Sequence, residues 1–530
     1  MRKSFSAHAV QALFAVLGVL FFFLAAASLA ASCRLDTSDP LHYLYEYTVY
    51  RWDPIWLNVL FIGAVAGMLY GLYPRLDRLP RRFLTALLFA FTAVFGAAWV
   101  LRVRAMPAFD SLSLYSAALA FARGDLSALS DANSYFRAYP FQLGYTALLE
   151  AAARLFREDA VLWAMQLFNV LCLLAAYAAL LRLSARLFED SSVRVLLLLL
   201  LAGLVQPAFL CTFVYGTLPA LALMLWALER LCAYLRDGRR AALCLSLVLI
   251  VPAVLLKYNC LIAAVAMAIT LALSAAPSAT PSAAPSAAPS AAPSAARRRR
   301  ALALAAAAML LLPLLAQGAV VALYEARAQT DLGPGMPQVA WLAMGLSQGD
   351  GRSAGWHTAS WVDTFYASGC DAQATRRASL EGIRNSLWRF AQNPARAFAF
   401  LGDKLLSQWT EPTFESIWVS EVRAHARPIP PWVRAVYDGT PGRALTAFMN
   451  AFQSLIYLFG AVGLWRLRRR GTLLHLPLAL TIFGGGLYHM LFEAKSMYIL
   501  PYYVMLFPYA AYGLAETLLW ARKKCARPPA

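Results

Sequence analysis

Residues 102–159 read RVRAMPAFDSLSLYSAALAFARGDLSALSDANSYFRAYPFQLGYTALLEAAARLFRED. The stretch leaves one long apolar run, carries an acid at Asp110, and shows two short amphipathic patterns before another apolar run opens near Val161. Leu112, Tyr115, Leu119 and Ala122 recur at helical spacing, as do Leu143, Ala147 and Leu148. Both pieces are therefore expected to lie flat on a bilayer surface and to hold Asp110 at the interface. Whether 142–156 crosses the bilayer decides the topology of everything downstream. If it crossed, the Arg-rich loops after it would alternate onto the wrong side, so it is read as an interfacial or re-entrant helix within an outer loop spanning 104–160.

Composition fits that frame. Of 530 residues, 61% are hydrophobic and only 14% charged, and the mean hydropathy is +0.57, values outside the range of a soluble globular chain. Twelve apolar runs are long enough to span, some with tilt: 9–31, 55–74, 83–103, 161–181, 192–211, 213–235, 241–256, 258–273, 301–323, 447–466, 472–491 and 497–519. The net charge of +19 would suggest nucleic acid in a soluble chain. Here more than half of the 47 Lys and Arg residues sit in short loops and tails that share one side, from Arg2 and Lys3 through Arg75–Arg82, Arg297–Arg300 and Arg466–Arg470 to Arg522–Arg527. That is the positive-inside pattern, and it puts both termini in the cytoplasm, with no nucleic-acid partner. The uncharged stretch 9–31 exceeds a signal-peptide core and suits a retained span. The eight cysteines show no metal-ligand spacing; Cys33 and Cys370, both on the outer side, could pair in a disulfide.

The organisation expected is an N-terminal two-helix addition (1–82), a membrane module (83–273) and a Pro/Ser/Ala low-complexity cytoplasmic linker (274–300). A further span (301–324), an extracytoplasmic cap loop (325–445) and the last helices with a basic tail (446–530) follow. The cap holds seven tryptophans. It carries helix signals at 375–392 and at Asn393-Pro394, where Asn can cap and Pro fits the first helical position, so it is expected to be mostly helical.

Candidate chemistry gathers on the outer side. Asp110 is a lone carboxylate at the end of a span, readable as a general base or as a solvated helix-end acid. Tyr139, Pro140, Gln142 and Tyr145 lead into the interfacial helix and would shape a groove beside it. Lys257, with Asn259 after it, is a cation at the membrane edge, either snorkelling or facing an anion such as a phosphate. Glu493, Lys495 and Tyr498 occupy the turn between the last two spans, and Trp409 and Glu411 set an acid among aromatics in the cap.

The Asp after an early span, YPFQLGY (139–145), LLKYN (255–259) and the late GGGLYHMLFEAKSMYILPYY resemble bacterial membrane glycosyltransferases of the GT-C superfamily, relatives of protein O-mannosyltransferases and lipid A aminoarabinose transferases. The stretches WLAMGL, GWHTASW and QWTEPTFESIW are similar to Gram-positive members, and the likeness covers roughly 83–519. It implies an all-α multi-pass membrane protein: a GT-C-type bundle of about 12 transmembrane helices, with interfacial helices and a mostly helical extracytoplasmic cap. The implied activity is inverting transfer of a sugar from a polyprenyl-phosphate donor to an extracytoplasmic glycan, lipid or protein acceptor at the bacterial cell membrane. By position Asp110 matches the base, and Lys257 and Lys495 match cations that grip the carrier phosphate. Many relatives have paired acids in the first loop and an acid in the next outer turn. Here the first loop has one acid and the next turn reads TFVYGT (212–217), which puts a divalent metal in doubt. The alternatives are a transporter or flippase for a lipid-linked glycan, against which the absence of a repeat counts, and a non-catalytic assembly subunit.

Overall fold

The computed structural model describes residues 5–275 and 295–525. It is an all-α membrane protein with one small hairpin, in which Ala31–Leu35 pairs antiparallel with Thr48–Trp52. Among the described residues nine helices are long and apolar enough to cross a bilayer, from His8–Ala30 to Ser496–Lys524. A tenth candidate is a bent pair, Ser191–Gly203 and Gln206–Thr212, which meet at 46°. The remaining two of the twelve expected segments are the shorter apolar helices Arg240–Leu256 and Tyr258–Ser274. Pro207 at the start of its second piece fits the break, since proline is suited to a helix's first turn and not to its interior. The Pro/Ser/Ala linker lies almost wholly outside the described residues.

The N-terminal helix Phe5–Ala30 runs along Thr440–Arg470, burying Phe14, Leu17, Phe21 and Leu24, and Ser454 Oγ donates to Ser28 Oγ at 2.9 Å. Gly463 and Gly513 let Thr440–Arg470 and Ser496–Cys525 touch backbone to backbone; a Cβ on either would strike the facing helix's carbonyl. At the basic end of the bundle Arg186 pairs with Glu229 at 2.5 Å, and Arg470 lies 3.7 Å from Glu516.

The opposite end carries the Asp110 segment and the cap. Leu143–Leu155 is a 13-residue helix, about 20 Å long and too short to span, as the topology required. Of the expected apolar faces, Leu112 is exposed and Tyr115, Leu119 and Ala122 half-buried, whereas Leu143 is buried against protein. Asp110–Ala122 buries Ser111, Leu114, Ala118 and Phe121, and Leu143–Leu155 buries Tyr145, Leu149 and Glu150. The two helices pack on each other, and Glu150 is tied to Arg327 of Ala295–Ala328 at 2.7 Å and to Arg154 of its own helix at 2.6 Å.

The cap is helical, with Ala372–Gln392 and Pro394–Trp409 as its longest pieces. Asn393 caps the second by accepting from Arg396 N at 3.0 Å, with Pro394 in the first turn. Lys404, fully buried, donates to Gly345 O and, at 2.8 Å, to Phe492 O, fastening the cap to the end of Leu476–Leu491. Trp356 Nε1 donates to Ser407 Oγ at 2.9 Å and its backbone bridges to Ala494. Cys33 and Cys370 are both free thiols, so the disulfide does not form. Cys33 N meets Thr410, whereas Cys370 lies near Ala132.

Candidate active site

Asp110 opens its helix directly after Phe109, whose φ of +52° and ψ of −136° is a conformation that non-glycine residues avoid. Packing imposes it. The Phe109 ring stacks on Trp418 with centroids 6.2 Å apart and planes at 9°, while Ser111 Oγ donates to Ala108 O at 2.7 Å and accepts from Ala108 N at 3.1 Å. The strain, of order 1–3 kcal/mol, aims the carboxylate into a cleft of about 900 Å³.

Asp110, Tyr139, Gln142, Lys257, Asn259, Glu493 and Tyr498, all singled out from the sequence, line this one cleft. The residue that joins them was not singled out. Tyr215 OH donates to Asp110 Oδ2 at 2.9 Å and accepts from Gln142 Nε2 at 2.8 Å, and Lys257 Nζ lies 3.9 Å from the centre of its ring. Burial and the neighbouring Asp110 charge hold the Tyr215 phenol far above its usual range, so it stays a neutral donor. The turn that presents it depends on Gly216, at φ +79°, where a Cβ would meet Leu256 O and the Tyr145 ring. The turn follows the bent pair, so the 46° bend delivers Tyr215 to the site.

Lys257 opens onto the cleft, yet the surrounding protein lowers its pKa to about 8 against the partial support of Asp110 and Glu493. A cation above an aromatic face, near carboxylates but in contact with none, is poised for an anion. Tyr498 OH donates to Glu493 Oε1 at 3.2 Å. His489, also in the lining, holds Nδ1 3.0 Å from Glu493 O and leaves Nε2 buried without a partner among the described residues. Trp341 and His357 complete the walls. Trp341 opens WLAMGL, His357 sits in GWHTASW and His489 in GGGLYHMLFEAKSMYILPYY, so all three fell in motifs that carried the resemblance without being singled out as site residues.

Five expected residues stand elsewhere. Tyr145 is fully buried beneath Gly216, and Pro140 starts the short turn that delivers Gln142. Trp409 packs inside the bundle against Phe21 and Tyr457. Glu411 turns inward and accepts from Thr413 N, Thr413 Oγ1, Glu415 N and Ser496 Oγ at 2.7–3.0 Å. Lys495 is ion-paired with Glu46 and lies 3.9 Å from Glu415, so its charge is already neutralised and it is not a free cation for a phosphate.

Asp110 and Glu493 are the cleft's carboxylates, and among the described residues no three His, Cys, Asp or Glu side chains come together as a metal site. Two carboxylates do not make an all-protein cage for a divalent ion. Asp110, Tyr215, His357, Glu493 and Tyr498 also border a second cleft, of about 1060 Å³, on the far side of the Asp110 carboxylate.

No family model matches the chain, and no curated protein matches it. Among solved structures it is similar to the archaeal oligosaccharyltransferase AglB from Archaeoglobus fulgidus, in complex with an inhibitory peptide and a dolichol-phosphate. The identity is 13% and the TM-score 0.39, over 85% of this chain and 52% of that one. The chain thus spans about half the length of that protein, and a likeness this loose bears on neither substrate nor chemistry.

Proposed function

We propose that the protein is a GT-C-type membrane glycosyltransferase that moves a sugar, with inversion, from a polyprenyl-phosphate donor to an acceptor hydroxyl on an extracytoplasmic glycan, lipid or protein. The observation that carries the reading is the Asp110–Tyr215–Lys257 arrangement, which sets a carboxylate and an otherwise unpaired cation in one cleft with an aromatic ring between them. Asp110 takes the acceptor's proton as its oxygen bonds to the anomeric carbon. The bond from that carbon to the phosphate oxygen breaks, and its electron pair leaves on the phosphate, whose charge Lys257 offsets. Tyr215 holds the carboxylate in line. Lys257 thereby fills the place a metal would take.

A lipid carrier fits the surroundings. From Lys257 and Asn259 a narrow, mostly apolar slot continues between the membrane helices, past Leu221, Met224, Met497, Pro501 and Tyr502, and supports an apolar carrier below a phosphate at Lys257. The charge pattern of the loops supports an extracytoplasmic position for this end of the bundle, where nucleotide sugars are absent and a lipid must present the donor.

The test is sugar transfer from polyprenyl-phosphate donors by purified protein in lipid, with donor binding measured alongside. Asp110→Asn keeps the shape but cannot take a proton, so turnover falls by about 10²-fold or more while donor binding persists. EDTA leaves wild-type turnover intact. Full turnover in the variant removes Asp110 from the mechanism; no turnover of any donor by wild type, with binding intact, favours a lipid-linked glycan transporter.

A further inference from the structure

The lining of the second cleft does not include Lys257, the cation assigned to the donor phosphate. It runs from Asp110 away from Lys257, toward Phe109, Trp418 and the N-terminal loop at Tyr45–Glu46. Two arginines reach into it, Arg352 from a cap loop and Arg423 from the turn after the Trp418–Glu421 helix.

Arg423 is only 6% exposed. One of its nitrogens donates to Val419 O, and its guanidinium lies 4.9 Å from the centre of the Phe213 ring. Arg352 donates to His357 O. Among the described residues no carboxylate comes within 4.0 Å of either guanidinium. Glu46, the acid whose charge most supports Arg423, is already held by Lys495. A guanidinium carries five N–H donors, and a single carbonyl leaves most of them unused. A buried cation in that condition is costly unless an anion completes it, and the planar fork matches the paired oxygens of a carboxylate or phosphate.

We infer that the second cleft is the acceptor site, and that Arg423 with Arg352 selects acceptors bearing a carboxylate or phosphate close to the hydroxyl that receives the sugar. This rests on the transferase reading: inversion requires the acceptor to approach the anomeric carbon opposite the departing phosphate, and Asp110 stands where the two clefts meet. An acidic sugar and a phosphorylated glycan or glycolipid would both supply the anion.

The experiment uses matched glycosides that differ at one position, bearing a hydroxymethyl, a carboxylate or a phosphate. Equilibrium binding to the full-length protein is measured without donor, and kcat/KM with a polyprenyl-phosphate donor. Hydrolysis of that donor without any acceptor is measured separately. Wild type is expected to prefer one acidic glycoside over the neutral one by about tenfold or more, the scale of one charge-assisted contact, and the preferred arm says whether carboxylate or phosphate is read. Arg423→Gln brings the acidic-to-neutral ratio toward one, and Arg352→Gln, on the cap surface and safer for folding, lowers it in the same direction. No acid preference in wild type, or an unchanged ratio in both variants, overturns the inference; if donor hydrolysis persists, the transferase reading stands without it. Acid-selective binding lost in Arg423→Gln, with no turnover of any donor, keeps the anion site and sinks the transferase.

Discussion

Removing one oxygen from Tyr215 is the sharpest perturbation the site offers. Tyr215→Phe deletes the donor to Asp110 at 2.9 Å and the acceptor of Gln142 at 2.8 Å but keeps the ring beneath Lys257. A hydrogen bond to a charged group contributes roughly 1.5–3 kcal/mol, or about ten- to a hundredfold in rate. Asp110 is exposed to the cleft, so water can replace part of the loss and the lower end applies: kcat falls about tenfold while KM for the donor stays near wild type. Tyr215→Leu removes the ring as well. The cation then loses a contact of about 0.5–2 kcal/mol, which adds a two- to thirtyfold rise in donor KM. The assay is initial-rate transfer from a radiolabelled polyprenyl-phosphate sugar by protein in lipid nanodiscs, with kcat and KM resolved for all three proteins. Wild-type kcat in Tyr215→Phe, or identical donor KM in the Phe and Leu variants, refutes the division of labour between hydroxyl and ring.

Three further outcomes follow from the geometry. Lys257→Met weakens donor binding by about ten- to a hundredfold; because burial lowers the lysine's pKa to about 8, it is charged below that pH and neutral above it, so wild-type donor affinity falls as pH rises through about 8 while the Met variant shows no such step. Lys495→Met strips the cation from buried Glu46 and Glu415 and destabilises the protein by about 3–5 kcal/mol, read as a lowered Tm, with the donor KM of the surviving folded fraction unchanged. Cysteine labelling from outside intact cells marks positions across 325–445 and spares one introduced at Ser290; the reverse pattern inverts the topology.

Much of the architecture was legible because a bilayer leaves few choices. Apolar runs of sufficient length must be helices, and each of the twelve found in the sequence lies on a helical segment. Asn393-Pro394 announced its helix through local chemistry alone. The site was legible where charge marked it, at Asp110, Lys257 and Glu493. It was hidden where function passes through an uncharged residue: Tyr215 sits in a turn with nothing periodic about it, and its meaning lies in partners 73 and 105 residues away. Lys495 misled for the same reason, since the acid that neutralises it is 449 residues distant in the N-terminal loop. Near Asp110 apolar spacing could not tell a neighbouring helix from lipid as the surface being covered: Leu112 stays exposed while Leu143 is buried against protein.

The lysine that bolts the cap down also governs traffic. Lys404 ties the cap to the end of Leu476–Leu491, and lifting the cap would leave the Phe492 carbonyl without its donor and uncover a buried ammonium, a penalty of several kcal/mol, roughly 2–5. On the transferase reading the roof is expected to stay shut through the proposed cycle, so a cross-link between the cap and the Glu493 turn should leave turnover intact, where loss of turnover would show that the roof must rise. With that route closed, the proposed reactants would arrive laterally and from opposite flanks, one from the hydrocarbon side and the other along the Tyr45–Glu46 margin, to meet at a single carboxylate.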